Sequence, residues 1–403
     1  MINSLIRKEH VDFAAEVLSR LISIRTEAPP GSHYEEAANY LSELLSGLGL
    51  VVKVIRVPDD YVRSNYPQWS GYPRYVVLAR TCAGKPIIHF NAHYDVVPGG
   101  NGWMLTEPFK PRVVNGRVYG RGASDDKGGV TAVLLMFRFL EELRIDGCAE
   151  ASFTPDEELG GATGVGYLIN NMEVPRYALV AEPTGLDNVW VGSMGVVHLL
   201  ITCRGIDAHA STPWLGVNAF EDCAIVASEI IRKLKPKVES RRFMNANATV
   251  SLGGLVRGGH GYSTVPGYFA FSMDRRLIPT EHVDEAVSEV VEFIDSIKHE
   301  VRSKVEVEVV NAVEPGINTQ GELAGRLGII INELLGVKPN VVISRWPVDT
   351  RYFQQRGVDA VTYGPGSVSV SHGPDEYVEL GDVVRAGLIY ALLVKAISEG
   401  PGR

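Results

Sequence analysis

The spacing of apolar residues changes twice along this chain, and that limits the folds open to it. Over the first 190 residues, helical and strand patterns alternate. Val11, Ala14, Val17, Leu18, Leu21 and Ile22 fall on one helical face within 9–23, and a second amphipathic helix is predicted from about Tyr34 to Leu48, with Gly47 as its stop signal. Short β-branched or apolar runs at 51–57, 75–79 and 86–91 read as strands; a helix over about 127–143, a strand at 150–154, a helix near 161–172 and a strand at 177–182 follow. This alternation predicts an α/β domain with a largely parallel sheet. Residues 196–312 then read strand, helix, strand, strand, helix, strand, which is a ferredoxin-like βαββαβ unit complete in itself. Each of its helices carries one apolar stripe, as covering one face of a small sheet requires. The first pattern resumes afterwards, with helices near 321–335 and 380–398. The economical arrangement is a large domain of residues 1–194 and 313–403 with residues 195–312 inserted into it.

Composition narrows the function. A chain of 403 residues exceeds one ordinary core, which agrees with two domains. A net charge of −9 argues against nucleic-acid binding, which needs a basic face. No run of eighteen or more apolar residues is present, so no membrane span is expected. The stretch MINSLIRKEHVDFAAEVL lacks the apolar core of a secretory signal. Cys82, Cys148, Cys203 and Cys223 form no CxxC pair, so they read as small buried apolar residues of a reducing cytoplasm. Any metal must then be held by His, Asp and Glu.

Those residue types gather after the predicted strands. His93 and Asp95 lie in NAHYDVVP, past the strand at 86–91; Glu157 and Glu158 lie in DEELGG, past 150–154; and Glu182 lies in AEPTG, at the end of 177–182. Asp125 and Asp126 lie in GRGASDDKGG, just before a helix. Sites in open α/β sheets collect outside the carboxyl ends of strands, so these clusters converge on one rim. Imidazole with carboxylates suits Zn²⁺, Co²⁺ or Mn²⁺, and one bridging carboxylate would allow two ions about 3.5–4 Å apart. A phosphate-loop reading of GRGASDDKGG fails, because the segment lacks the GK[ST] ending and its aspartates would repel phosphate.

Together NAHYDVVP, GRGASDDKGG, DEELGG, AEPTG and GPGSVSVSHGPDEYV resemble the di-zinc hydrolase family of aminoacylase, acetylornithine deacetylase, succinyl-diaminopimelate desuccinylase and carboxypeptidase G type, from about residue 85 to the C-terminus. The resemblance implies a catalytic domain with two zinc ions per subunit and an inserted domain that serves as lid and dimerisation surface. It implies His93, Asp125 and Glu182 as ligands of one ion, and Asp125, Glu158 and His372 as ligands of the second, with Asp125 bridging. Asp95 is then the carboxylate that orients His93, and Glu157 the general base that carries a proton from water to the leaving amine.

In the inserted domain, the resemblance implies that His209, in GIDAHASTP, reaches the partner subunit's site and stabilises the oxyanion; the alternative is a loop histidine capping the next helix. It implies a substrate or oxyanion contact for Asn218, and a substrate carboxylate contact for Arg276 in DRRLIP, whose alternative is an ion-paired structural arginine. Two departures stand out. Arg345, Trp346, Pro347 and Val348 replace the small hydroxyl-bearing residues that desuccinylases carry before the Asp349 and Arg351 positions, and Ser263 replaces an expected Asn. The expected activity is hydrolysis of an N-acyl amino acid in the cytoplasm by a homodimer. A carboxypeptidase or dipeptidase acting on a short peptide is the alternative, and a non-catalytic binding relative is a third reading.

Overall fold

The computed structural model describes residues 5–318 and 321–400, so the first four residues of the stretch read for a leader lie outside it. The chain divides into two compact units, Met1–Val191 with Asn318–Val342 and Val348–Arg403, and Gly192–Ile317 with Ile343–Pro347. The second unit is thus longer than the expected 195–312, and it takes back five residues late in the chain. Asn245 explains the return: its side chain donates to the Ile343 carbonyl (3.1 Å) and accepts from the Ile343 N–H (2.9 Å). A five-residue return has no periodicity, so apolar spacing cannot reveal it.

In the first unit the helices α1 (Lys8–Ser23), α2 (Tyr34–Gly47), α3 (Lys127–Glu142) and α4 (Val165–Asn171) alternate with β1 (Val51–Arg56), β2 (Tyr75–Arg80), β3 (Ile88–His93), β4 (Ala149–Thr154), β5 (Tyr177–Val180) and β6 (Asn188–Ser193). The second unit contributes β7 (Gly195–Arg204), α5 (Ala219–Glu229), β8 (Thr249–Gly258), β9 (Tyr268–Leu277), α6 (Val283–Ile297) and β10 (Lys304–Val313). The chain then runs through α7 (Leu323–Leu335), β11 (Asn340–Ser344), α8 (Thr350–Gln355), β12 (Asp359–Thr362) and α9 (Leu380–Ser398).

The main sheet has the order β1-β2-β4-β3-β5-β12-β6, with β11 beside β6. Its heart, β4-β3-β5-β12, is parallel. The flanks β1-β2-β4 and β12-β6 are antiparallel. Both β3 and β4 are buried at every residue, as expected of central strands covered on both faces. Adjacent residues of β3 show the two layers: Phe90 packs on Tyr390 of α9, while His89 packs on Phe353 of α8. His89 meets its local hydrogen-bond needs with Glu150 (2.8 Å) and Ser152 (2.7 Å), so its role is structural.

The second unit has the strand order β8-β9-β7-β10, antiparallel throughout, which is the ferredoxin-like order expected of βαββαβ. Its helices α5 and α6 lie against β7, as their single apolar stripes require.

The cysteine reading is corrected here. Cys82 pairs with Cys148, and Cys203 on β7 pairs with Cys223 on α5, so the thiols are disulfides rather than free buried side chains. Sequence separations of 66 and 20 show why spacing was silent: each pair is made by tertiary contact. The argument from unpaired thiols to a reducing compartment is lost with them. Among the described residues, no helix is long and apolar enough to cross a membrane.

Candidate active site

Because β4, β3 and β5 are adjacent and parallel, their carboxyl ends share one edge, and the sequence loads that edge with ligand-type side chains. His93 is the last residue of β3, paired across from Thr154, so Glu157 and Glu158 follow three and four residues past the equivalent point of β4. Glu182 follows two residues past the end of β5. The ligand atoms of His93, Glu157 and Glu182 lie within 4.8 Å of one another, and so do those of Asp125, Glu158 and His372.

Asp125 joins the two groups. Its Oδ1 is 3.0 Å from His93 Nε2, and its Oδ2 is 3.4 Å from His372 Nε2. His372 Nε2 is also 3.1 Å from Glu158 Oε1. Each oxygen of Asp125 thus serves a different histidine, the arrangement a bridging ligand needs. All six side chains that the sequence nominated around the metals meet here.

The electrostatics suit a cation. Burial and then the neighbouring Asp349 push the Glu157 carboxyl well above its usual value. Burial and then Glu157 do the same to Glu182. Burial would raise Asp125 too, but hydrogen bonds with His372 and His93 hold it below its usual value. His372 is pushed up to about 10 by Asp125 and Glu158. Glu182 Oε1 is buried with no hydrogen-bond partner and lies 4.0 Å from His93 Nε2. A lone buried carboxylate oxygen is costly unless a positive charge faces it. These donors therefore fit divalent ions.

The supports explain the rigidity of the site. Asp95 was expected to orient His93, and its Oδ1 does lie 3.4 Å from His93 Nδ1, although the Asp95 backbone carbonyl is nearer at 3.1 Å. Its closest side-chain partners are the backbone N–H groups of Glu157 (3.2 Å) and Glu158 (3.1 Å). Asp95 thus fixes the acidic turn as well as the imidazole.

Sequence reasoning missed the other holders of that turn. Asp156 is buried between Arg74 (2.6 Å), the Tyr34 hydroxyl (2.8 Å) and Thr163. The Gly160 carbonyl accepts from Arg351 (2.6 Å) and from the Tyr352 hydroxyl (2.8 Å). At Gly161 (φ +70) an added Cβ would lie 2.1 Å from Asp349 Oδ1, so only glycine allows that approach. Arg351 sits next to Asp349 in the surviving Asp-x-Arg segment, which was the one available hint; Arg74 and Tyr352 carry no signal in sequence.

A small three-stranded sheet was also missed. Residues 112–114, 117–119 and 377–379 pair in it, and it sets the GRGASDDKGG loop beside the His372 loop. Its strands are three residues long, too short for periodicity to register. Asp126 caps α3 by accepting from Gly129 N–H (3.2 Å), which anchors the loop that carries Asp125.

The remaining nominated residues belong to the second unit. His209 is exposed, and its Nδ1 accepts from the Ser211 N–H (3.1 Å) and lies 2.7 Å from the Ser211 hydroxyl. That acceptor role leaves the proton on Nε2. Asn218 caps α5, accepting from Phe220 N–H (3.1 Å) and Glu221 N–H (3.3 Å) while donating to Glu221 Oε1 (2.9 Å). Its polar atoms are taken up by the helix end. Arg276 is forked onto Asp274 through Nε (2.9 Å) and Nη2 (3.0 Å), and Asp274 also meets His198 (3.0 Å). Arg275 points to the buried face, as strand alternation requires.

Fold and site together define a metal-dependent hydrolase with a large α/β domain. The sequence signature of Peptidase family M20/M25/M40 matches residues 89–396, and the chain belongs to that family. An uncharacterized metallohydrolase of Methanocaldococcus jannaschii is 25% identical over 421 aligned positions, which span 96% of this chain and 99% of that protein. A succinyl-diaminopimelate desuccinylase of Nitrosomonas eutropha is 28% identical, over 77% of this chain and 83% of that one. Among solved structures, a tripeptidase from Staphylococcus aureus superposes with a TM-score of 0.78 at 21% identity, covering 96% of this chain and 99% of that chain.

Proposed function

We propose that this chain is a metal-dependent amidohydrolase that cleaves the amide bond of an N-acyl amino acid, releasing a carboxylate and a free amine. The observation that carries this reading is Asp125, whose two oxygens serve the two ligand groups separately. His93, Asp125 and Glu182 would hold one divalent ion, and Asp125, Glu158 and His372 a second. Mixed imidazole and carboxylate donors suit Zn²⁺, with Co²⁺ or Mn²⁺ as substitutes. When bound, such ions supply Lewis-acid polarisation of the amide carbonyl and make water acidic near neutral pH.

The chain's own residues carry the rest. Glu157 takes a proton from the attacking water as a C–O bond forms at the carbonyl carbon, then passes it to the amide nitrogen as the C–N bond breaks. Asp95 keeps Glu157 and Glu158 in register by holding their backbone N–H groups. His209, with its proton on Nε2, is suited to donate to the developing oxyanion of a neighbouring subunit. That role requires a homodimer formed through the second unit. The edge strands β8 and β10 favour one, since Leu255, Val256, Val309 and Val310 are exposed there. Arg276 would take the substrate carboxylate through Nη1, because Asp274 engages its other two nitrogens. Asn218 would act through the helix cap it makes.

The second reading keeps the site and changes the substrate to a short peptide, as for a carboxypeptidase or dipeptidase. The bulky Arg345–Val348 stretch, in place of small hydroxyl residues, is what favours it over a strict desuccinylase. A hydrolysis panel on the metal-reconstituted protein decides between them. Turnover of N-acetyl- or N-succinyl-amino acids with peptides inert supports the first reading, and the reverse pattern supports the second. A fully loaded protein inert on all of them would overturn both.

A further inference from the structure

The two halves of the candidate metal site are built differently. His93 and Glu182 stand on or just past central strands and are buried. Asp125 and His372 stand on loops, and the His372 side chain is 52% exposed on a residue with φ +63. Neither strand register nor packing around the ring fixes His372, so another contact must.

A buried ion pair outside the ligand set meets that need. Arg121 and Glu376 are 2% and 0% exposed and 2.7 Å apart. Glu376 Oε1 accepts from the backbone N–H groups of Ser124 (2.9 Å) and Asp125 (3.0 Å), and Oε2 accepts from Gly122 N–H (3.1 Å). Arg121 donates to the backbone carbonyls of His372 (3.1 Å) and Gly373 (3.1 Å), with longer contacts to Gly99 and Pro98. The pair thus grips the backbone at Asp125 with one partner and at His372 with the other, and touches neither ligand atom.

Resting on the two-ion reading above, we propose that Arg121 and Glu376 are positioning residues for the ligands: Arg121, through His372, sets the affinity of the loop-borne ion alone, the one assigned to Asp125, Glu158 and His372, whereas Glu376, through the bridging Asp125, bears on both ions. Outer partners of metal ligands typically change affinity by roughly 10 to 100-fold when removed. The strand-borne ion should escape most of the loss caused at Arg121, because His372 is not among its ligands and β3 and β5 hold His93 and Glu182 without the pair; a loss at Glu376 reaches it through Asp125.

Chelator-stripped wild-type protein, Glu376→Gln and Arg121→Lys are titrated with Zn²⁺ against a competing chelator, and with Co²⁺ followed by its visible spectrum. Glu376→Gln keeps one carbonyl oxygen for Ser124 and Asp125 but sets an amide N–H against Gly122 or Arg121. Arg121→Lys keeps the charge and loses the reach to His372. The expected result is that Arg121→Lys weakens one of the two ions by about 10 to 100-fold with the other within about threefold of wild type, while Glu376→Gln weakens both. In Arg121→Lys the cobalt spectrum of the second equivalent alone should change. A pair that only stabilises the fold would lower the melting temperature of metal-free protein and leave both affinities unmoved in both variants, which overturns the proposal. Equal weakening of both ions by Arg121→Lys overturns it as well. If Glu376→Gln does not fold, Arg121→Lys decides alone. A wild-type protein that saturates at one ion brings down the two-ion reading itself, a result distinct from two ions with unaltered variants.

Discussion

Two acidic clusters, one in each unit, stand on opposite terms. In the second unit, Glu281 and Glu289 are met by Arg241 (2.6 and 2.5 Å), by Arg275 (3.0 and 2.7 Å) and, for Glu289, by Lys237 (2.9 Å). Burial alone would raise Glu289, yet these cations pull its carboxyl down to about 2. In the first unit, Asp125, Glu157, Glu158 and Glu182 crowd together against His93 and His372, and burial drives Glu157 and Glu182 upward. Matched charge is scaffold, whereas unmatched charge is a site that calls for a cation. That difference separates structural from functional acids without any knowledge of the substrate.

The largest expected effect falls on the unmatched side. Glu157→Gln should retain bound metal and lose turnover by a factor on the order of 10² to 10⁴, measured as kcat on whichever substrate the panel identifies. Near wild-type turnover would show that this acid is not the proton carrier. On the matched side, Arg275→Met should leave two glutamates short of a partner. A loss of about 3 kcal/mol in unfolding free energy is expected, the low end for a broken buried pair because Arg241 remains. Urea unfolding with unchanged metal stoichiometry is the check, and a loss of metal instead would blur the distinction drawn here.

Metal removal sharpens the contrast. Chelation should lower the thermal midpoint, and restoring the ion to about a hundred times its Kd should return about 2.7 kcal/mol. The substitution Glu157→Gln should shrink the penalty of removal, since it deletes one of the repelling charges. The smallest effect is on pH. Because Glu289 has a lower pKa in the folded chain than its unfolded value of about 4.3, the unfolded state binds more protons in between. The stability it contributes is therefore present above about pH 4.3 and lost as the pH falls toward 2. Glu289→Gln should flatten that part of the stability profile.

The same comparison shows what the sequence made legible. His93, Asp125, Glu157, Glu158 and Glu182 could be nominated because each lies in a Gly- or Pro-rich segment flanking a recognisable strand or helix, whereas His372 was nominated only through the family resemblance. The βαββαβ unit was legible because its helices are long and carry single apolar stripes. What escaped has no periodic or local signature. Arg74, Asp156, Arg121 and Glu376 read as ordinary charged residues until the fold buries them together. The disulfides Cys82–Cys148 and Cys203–Cys223 join segments that only the tertiary structure makes neighbours. Asn218 and Arg276 show the converse: both lie where the resemblance put functional residues, and both have local partners in Glu221 and Asp274 that pattern alone could not weigh.

The central claim is that Asp125 unites two metal-binding groups. The most direct measurement is metal stoichiometry and affinity of chelator-stripped protein during Zn²⁺ titration, comparing wild type with Asp125→Ala, Glu182→Gln and His372→Ala. Wild type should saturate at two ions per chain. Glu182→Gln and His372→Ala should each weaken a different single ion, and Asp125→Ala should weaken both. A wild-type chain that saturates at one ion, or an Asp125→Ala variant that weakens only one of two, would contradict the account.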